Sequence, residues 1–431
     1  MTVLGRSRLA PKGLDPHILA MLTEAEEAGF RTGAAASPPA RVAVARLVLT
    51  DFRNYRGARL DLGPQPVVLT GPNGAGKTNL LEAVSFLAPG RGLRRARLGE
   101  IDRRDAAPPS GAPSSGAPSS GWAVAATVAT SRGSVRIGTG RDSNEGDKRV
   151  LRIDGERARS QATLGEHFGV LWLTPSMDRL FVEGRSERRR FLDRLVLALD
   201  PAHAARVAGY EQALRERARL LRDSFHFSRP ADPAWLAALE AAMAAEGVAV
   251  AAARAYAVEL LDQACNEVRA PFPRVRLRLG GTLEAWLEAM PALAAEAKFA
   301  AALVAGRRGD GEAGGAAIGP HRSDFAVTLA DKGIDAALAS TGEQKAALIA
   351  ILLAHASLLR RTRGAPPLLL LDEIAAHLDE QRRAALFAAL EESQSQAWLT
   401  GTDTALFAPL RGGAQLLAVR DGTVALTDFD P

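Results

Sequence analysis

A single cysteine, Cys265, stands in a chain of 431 residues. It has no intrachain partner for a disulfide and supplies no thiolate cluster for zinc, which fits a reducing, cytoplasmic setting. Aromatic residues are sparse at 5%, too few for a row of base-stacking platforms. Any nucleic-acid contact is therefore expected on a duplex backbone rather than on splayed bases. Lysine is scarce too, with 6 Lys against 48 Arg. No apolar run reaches the roughly eighteen residues of a membrane span. Even the Ala-rich stretch 237–257 carries Glu240, Glu246 and Arg254, so no membrane partner is expected. The N-terminal stretch has arginines but no apolar segment followed by a small-residue cleavage site, and does not read as a secretory signal.

What is present begins with Gly71-Pro72-Asn73-Gly74-Ala75-Gly76-Lys77-Thr78, two glycines with four free positions between them, then Lys and Thr. After the apolar run Val67-Val68-Leu69, the chain must turn tightly and aim consecutive N–H groups at phosphate oxygens, which glycine allows because it lacks a Cβ. Lys77 is expected to reach the β and γ phosphates of ATP, and the Thr78 hydroxyl to ligate Mg²⁺. Leu80, Leu81, Val84 and Leu87 continue at helical spacing, so a helix N-terminus faces the anion. Lys77 also runs against the chain's habit, since a general basic residue here would be Arg.

The formal charge is +5 and the pI about 9.7, but the cationic character is local. From Leu368 to the end there are four Arg against ten Asp and Glu, whereas Arg179 to Arg229 holds twelve Arg against seven acids. Arg188-Arg189-Arg190, the cluster Arg91, Arg94, Arg95, Arg97, and the series Arg269, Arg274, Arg276, Arg278 are candidates for attracting a polyanion, with solvated surface as the alternative.

Residues 1–40 carry little periodic pattern and are expected to be a disordered extension. Residues 106–121 repeat Ser-Gly-Ala-Pro-Ser almost unchanged, a composition that builds no core and reads as a flexible linker. Strands are expected around Val42–Leu49, Arg59–Leu62, Val124–Val128, Ser134–Ile137, Arg149–Ile153 and Gly169–Thr174. Long Ala, Leu, Arg and Glu stretches then predict a helical lobe over 191–300, cut by prolines into pieces too short for a long coiled-coil arm. Residues 41–190 and 301–431 form the two parts of an α/β domain around it, with strands at Phe325–Leu329, Leu368–Leu371 and Ala397–Thr400 and a hairpin at Asp421-Gly422.

Leu368-Leu369-Leu370-Leu371-Asp372-Glu373 reads as a central parallel strand ending at a metal–phosphate site. Asp372 is expected in the Mg²⁺ shell, and Glu373 to polarise the water that attacks the γ-phosphate, with Lys77 as its catalytic partner. Ser340-Thr341-Gly342-Glu343-Gln344-Lys345 precedes a helix and offers a hydroxyl and free N–H groups to an anion, although an ordinary N-cap would look the same.

At these residues the chain resembles the ATP-binding cassette superfamily, whose Ser-Gly-Gly-Gln-like turn holds the γ-phosphate of the opposite subunit. Ser340, Gly342 and Glu343 fall in that turn, with Thr341 at the first glycine position and Ala339 where Leu is usual. Leu47 to Tyr55, the phosphate loop with Asn79, Ser186 to Arg194, and Gly319-Pro320-His321-Arg322-Ser323-Asp324 together resemble the RecF family, over Arg41 to the C-terminus. The resemblance implies a P-loop, cassette-type ATPase head related to SMC proteins, with an inserted and mostly helical second lobe. It further implies an ATP-dependent homodimer, slow hydrolysis, binding of duplex, gapped or junction DNA, and work with RecR and RecO to load RecA. Arg53 and Asn54 are expected to border the nucleotide.

Two departures from transporter cassettes stand out. Leu173 to Asp178 has no glutamine where one usually meets metal and water, and Trp398 to Thr402 lacks the switch histidine, which leaves Thr400 or Thr402 as a weaker sensor. His321 reads either as a replacement catalytic group or as a structural histidine. An SMC-like or other cassette subunit that senses nucleotide without gap-DNA specificity stays open.

Overall fold

The computed structural model describes residues 41–103, 121–142, 148–227 and 231–429. The expected extension 1–40 lies outside the described residues, as does 106–120 of the expected linker; Gly121 already opens a strand. Two six-stranded sheets enclose the phosphate loop and its helix.

The first is mainly parallel, in the order β15-β14-β3-β13-β12-β8. It contains β3 (Val67–Thr70), β8 (Val170–Leu173), β12 (Leu368–Leu371), β13 (Ala397–Gly401), β14 (Gln415–Arg420) and β15 (Thr423–Thr427). Every residue of β3, β12 and β13 is buried, as expected where helices or a second sheet cover both faces of a parallel sheet. Each buried leucine of β12 contributes about 1.5–3 kcal/mol. Asp421 (φ 44°) and Gly422 (φ 74°) turn β14 into β15, both in the left-handed region that a two-residue hairpin requires.

The second sheet is antiparallel and runs β2-β1-β4-β5-β6-β7. Its strands are β1 (Ala43–Phe52), β2 (Tyr55–Asp61), β4 (Gly121–Thr130), β5 (Gly133–Asp142), β6 (Arg149–Ile153) and β7 (Glu156–Arg157). Between the sheets lies the helix Lys77–Ser85, whose Leu80, Leu81 and Val84 are fully buried. Phe52, Phe86 and Trp122 close this core, with ring centroids 5.0–6.1 Å apart. On the other side of the parallel sheet, helices Arg185–Leu199, Thr341–Arg363 and Glu380–Ser393 share a second core.

The helices His203–Phe227 and Pro233–Cys265 form the long hairpin of the lobe. Arg217 is buried between them and bonds Glu240 at 3.0 Å and Asp310 at 2.8 Å. Helices Pro233–Cys265 and Thr341–Arg363 are long and apolar enough to cross a membrane by length and composition. Both pack into cores here, and the first carries buried Glu240 and Arg254 with ion-pair partners.

Two details differ from the sequence expectation. Helix Arg185–Leu199 runs unbroken through the boundary placed at 190/191, and helix Ala292–Ala305 through the one at 300/301; the composition changes there, the backbone does not. Within the span read as helical, Val275–Gly280 is a strand (β9), paired antiparallel with β10 (Asp324–Leu329), which also pairs with β11 (Ile334–Asp335). Val275, Leu277 and Leu279 alternate with Arg276 and Arg278, so the period is two. The arginines drew notice as a cationic series, while their apolar neighbours carried the strand signal.

Candidate nucleotide site

The loop after β3 has Gly71, Gly74 and Gly76 at φ 147°, 82° and 115°, values that a side chain resists. A Cβ on Gly71 would lie 2.1 Å from the Val419 carbonyl oxygen, and one on Gly76 2.5 Å from Asn54 Nδ2. The crest Pro72-Asn73-Gly74 is exposed, while Ala75, Gly76 and Lys77 are buried. Lys77 Nζ donates to the carbonyls of Gly71 (2.7 Å) and Pro72 (2.9 Å), so the ammonium is held over the loop by acceptors that phosphate oxygens can replace. Burial lowers its pKa, opposed by Glu373 and Asp372.

Thr78 Oγ1 donates to Asp372 Oδ1 at 2.9 Å and reaches Oδ2 at 3.2 Å. The end of β12 thus meets the start of the loop helix across 294 residues. A hydroxyl and a carboxylate in this position are oxygen donors of the kind Mg²⁺ takes, and the residues fit that ion. Thr400, from the end of β13, donates to the same Asp372 oxygen at 2.8 Å and accepts the Glu373 N–H at 2.8 Å. Glu373 itself has φ 51°, a left-handed backbone that the Thr400 bond helps to fix.

Several residues, Tyr55, Asn79 and Glu82 among them, to which sequence reasoning gave no individual role support the loop. Tyr55 donates to the Gly76 carbonyl at 3.0 Å, and burial pushes its phenol pKa up. Asn79 donates to Asn54 Oδ1 at 2.7 Å, and Asn54 Nδ2 donates to Ala75 O at 3.0 Å. Glu82 is fully buried and takes a bidentate pair from Arg53 at 2.8 and 2.7 Å. A carboxylate on the apolar side of a short helix was the available signal, because such a group must find a cation. Asn54 thus touches the loop directly. Arg53 spends its guanidinium on Glu82 and the Glu100 carbonyl, so in this structure it braces the loop helix rather than facing the phosphate cradle.

Ser340, Gly342 and Glu343 lie at the start of another helix, Thr341–Arg363. Ser340 caps helix Thr341–Arg363, accepting the Glu343 N–H, while Glu343 Oε2 receives the Ser340 N–H at 3.0 Å and its hydroxyl at 2.9 Å. Glu343 also pairs with Lys332, and these bonds, the Lys332 ammonium first, hold its carboxyl down at about 2. Ser340 is exposed, next to Leu338 at 80% exposure. Two residues past Glu343, buried Lys345 pairs at 3.3 Å with Asp178, in the segment that lacks a glutamine. Helix Thr341–Arg363 is thereby tied to the chain leaving β8.

His321 bonds Tyr210 at 2.6 Å and the Ala316 carbonyl at 2.9 Å, between lobe and sheet, so both ring nitrogens have structural work. The three arginines 188–190 divide. Arg188 grips Asp324 bidentately at 2.8 and 2.9 Å, and Arg189 donates to Ser323 O at 2.8 Å. Arg190 alone among them pairs only with half-buried Glu187 of its own helix.

A glycine-cradled lysine, a threonine–aspartate pair at the strand ends and a separate helix-start serine define a P-loop ATPase head of the cassette type. The family described as RecF/RecN/SMC N terminal domain matches residues 43–408. "DNA replication and repair protein RecF" of Mesorhizobium japonicum is 49% identical over 393 residues, covering 90% of this chain and 99% of that one. The protein of the same description from Caulobacter vibrioides is 48% identical, covering 91% and 99%. The solved structure described as the recombination mediator protein RecF-ATPrS in the RecFOR pathway superposes with a TM-score of 0.77 at 21% identity, covering 91% of this chain and 100% of that one. The chain belongs to the RecF family.

Proposed function

We propose that this protein is an ATP-operated switch of DNA replication and repair, in which two copies close on ATP and the closed dimer holds duplex or gapped DNA. The observation that carries this reading is the division of the site. Lys77, Thr78, Asp372 and Glu373 gather at one place in the protomer, while Ser340 stands exposed at the start of another helix. An exposed helix start with a hydroxyl binds an anion, here the Glu343 carboxylate, and the γ-phosphate held by a partner's loop is an anion that could take its place on Ser340.

In this reading Lys77 leaves its loop carbonyls for the β and γ phosphates. Mg²⁺, held by Thr78 and Asp372, would neutralise the phosphate charge. Thr400 fixes Asp372 and the Glu373 backbone together, and Glu373 takes the proton of the attacking water. With no glutamine after β8 and no histidine after β13, fewer groups sense the γ-phosphate, and hydrolysis is slow. The head comprises 41–190 and 301–431, with the 191–300 lobe inserted and helix Arg185–Leu199 across the junction. The RecF resemblance makes RecR and RecO the expected partners and RecA the protein loaded, and a structural neighbour is described as a recombination mediator of the RecFOR pathway. A cytoplasmic site of action accords with the free Cys265, whose thiol burial pushes up to about 12.

The test is Glu373→Gln. ATP affinity should stay within about threefold, hydrolysis should fall roughly 100-fold or more, and light scattering should show a lasting dimer with ATP. A variant that stays monomeric with saturating ATP would sink the sandwich.

A further inference from the structure

The loop 90–97 and the helix Arg185–Leu199 are about a hundred residues apart in sequence, yet they meet at one edge of the parallel sheet. Arg95 lies 3.8 Å from Glu187, which also pairs with Arg190. One turn further along, Arg194 lays its guanidinium 4.3 Å over the Trp172 ring and 5.7 Å from that of Phe191. Among the described residues its hydrogen-bond acceptor is the Met177 sulfur at 4.0 Å. Arg91 is exposed beside them.

The charge here does not balance. Arg95, Arg190 and Arg194 share Glu187, Arg91 adds a further positive charge against Arg95, and the more distant Glu211 is itself paired with Arg215 at 3.5 Å. Burial and then Arg190 hold the Arg95 pKa below its ordinary value, while burial and then Arg95 do the same to Arg194. Mutual repulsion of this kind is relieved by a polyanion. The patch is also stiff: Arg149 fixes the loop's base by donating to the carbonyls of Phe86, Ala88 and Gly90, and the Gly90 N–H bonds Gln161 at 3.1 Å. Stacking on Trp172 holds the Arg194 fork in one plane at little entropic cost.

We propose that Arg91, Arg95, Arg190 and Arg194 form a single ridge that grips the phosphate backbone of duplex DNA. This deepens the functional reading above and rests on it. The ridge reads no sequence, because it presents guanidinium forks and no residue placed to enter a groove. Arg188 and Arg189, although adjacent in sequence, are not part of it, since their donors serve Asp324 and Ser323.

The experiment measures duplex affinity with ATP as a function of salt for the whole protein, for R95A/R190A/R194A and for R308A, a control at an arginine 91% exposed in the lobe. Each lost phosphate contact removes about 0.9 from the slope of log affinity against log salt, so the triple variant should be flatter by roughly 2–3 and the control unchanged. Because Arg194 also packs on Trp172, R95E/R190E changes only exposed tips and should likewise flatten the slope; thermal melting and ATP affinity check the fold of each. Unaltered slopes in both ridge variants overturn the ridge and leave the DNA reading standing. If the native protein shows no duplex binding with ATP, the functional reading itself falls. Loss of RecR binding with the DNA slope intact would assign the ridge to a protein and overturn the proposal.

Discussion

Thr400 shows how one hydroxyl can organise a reacting centre. It donates to Asp372 and accepts from the Glu373 N–H, so it sets the spacing of the two carboxylates to which the proposed function gives the metal and the water. Thr400→Val keeps the shape and removes both bonds; Asp372 Oδ1 retains Thr78, while the part-buried Glu373 N–H loses its acceptor at about 1–3 kcal/mol. Turnover is expected to fall roughly 10- to 100-fold while ATP affinity moves less than about fivefold, measured by single-turnover hydrolysis and nucleotide titration. A matching loss of affinity would make Thr400 a binding residue instead. At this scale the loop from Gly71 to Thr78 and the pair Asp372-Glu373 were legible in sequence, because each chemical role needs a particular residue at a particular spacing. The supports, Tyr55, Asn79 and Glu82, were not, since their partners come from other segments. Of Thr400 and Thr402, the two sensors the sequence offered, Thr400 is the one that bonds Asp372 and the Glu373 N–H.

At the scale of elements, the helix Thr341–Arg363 joins functions. Its start carries the Ser340 cap, its first turns carry Lys345 bonded to Asp178, and its middle is core. In that core His355 is completely buried, and burial pushes its pKa down to about 3, against the opposing effect of the Leu195 backbone. A histidine held neutral in the fold but free to protonate when unfolded stabilises the protein above about pH 6.5 and loses that contribution as pH falls toward its folded value. His355→Leu should therefore remove about 2 kcal/mol of the stability lost between pH 6.5 and 5, relative to the native chain, in denaturant melts at the two pH values. Equal pH dependence in both proteins would show that the imidazole is reached by water or protons in the folded state. The strand Val275–Gly280 belongs to the same scale. Its alternation was readable, but arginine-rich composition dominated the reading because charge and period were weighed separately.

For the whole molecule, the property that the proposed function turns on is a nucleotide site completed by a second copy. Lys77→Ala breaks the loop half and Ser340→Arg the opposite half, so each variant alone should lack ATP turnover. In a mixture, the heterodimer has one doubly damaged site and one intact one. Random pairing makes half the dimers mixed, and turnover should return to roughly a quarter of the native value. No recovery, with mixed dimers demonstrated by differential labelling, would count against shared sites.

By itself the sequence determined the phosphate loop, the strand-end carboxylates, the helix cap at Ser340 and the alternation of most strands. All of these follow from rules acting over a few residues: φ freedom, hydrogen-bond reach, period. Only the tertiary structure decided which arginines are structural and which are free, that His321 serves Tyr210, and that Thr78 and Asp372 share a hydrogen bond. A charged side chain's role depends on the carboxylate or carbonyl it meets, and folding brings that group from hundreds of residues away.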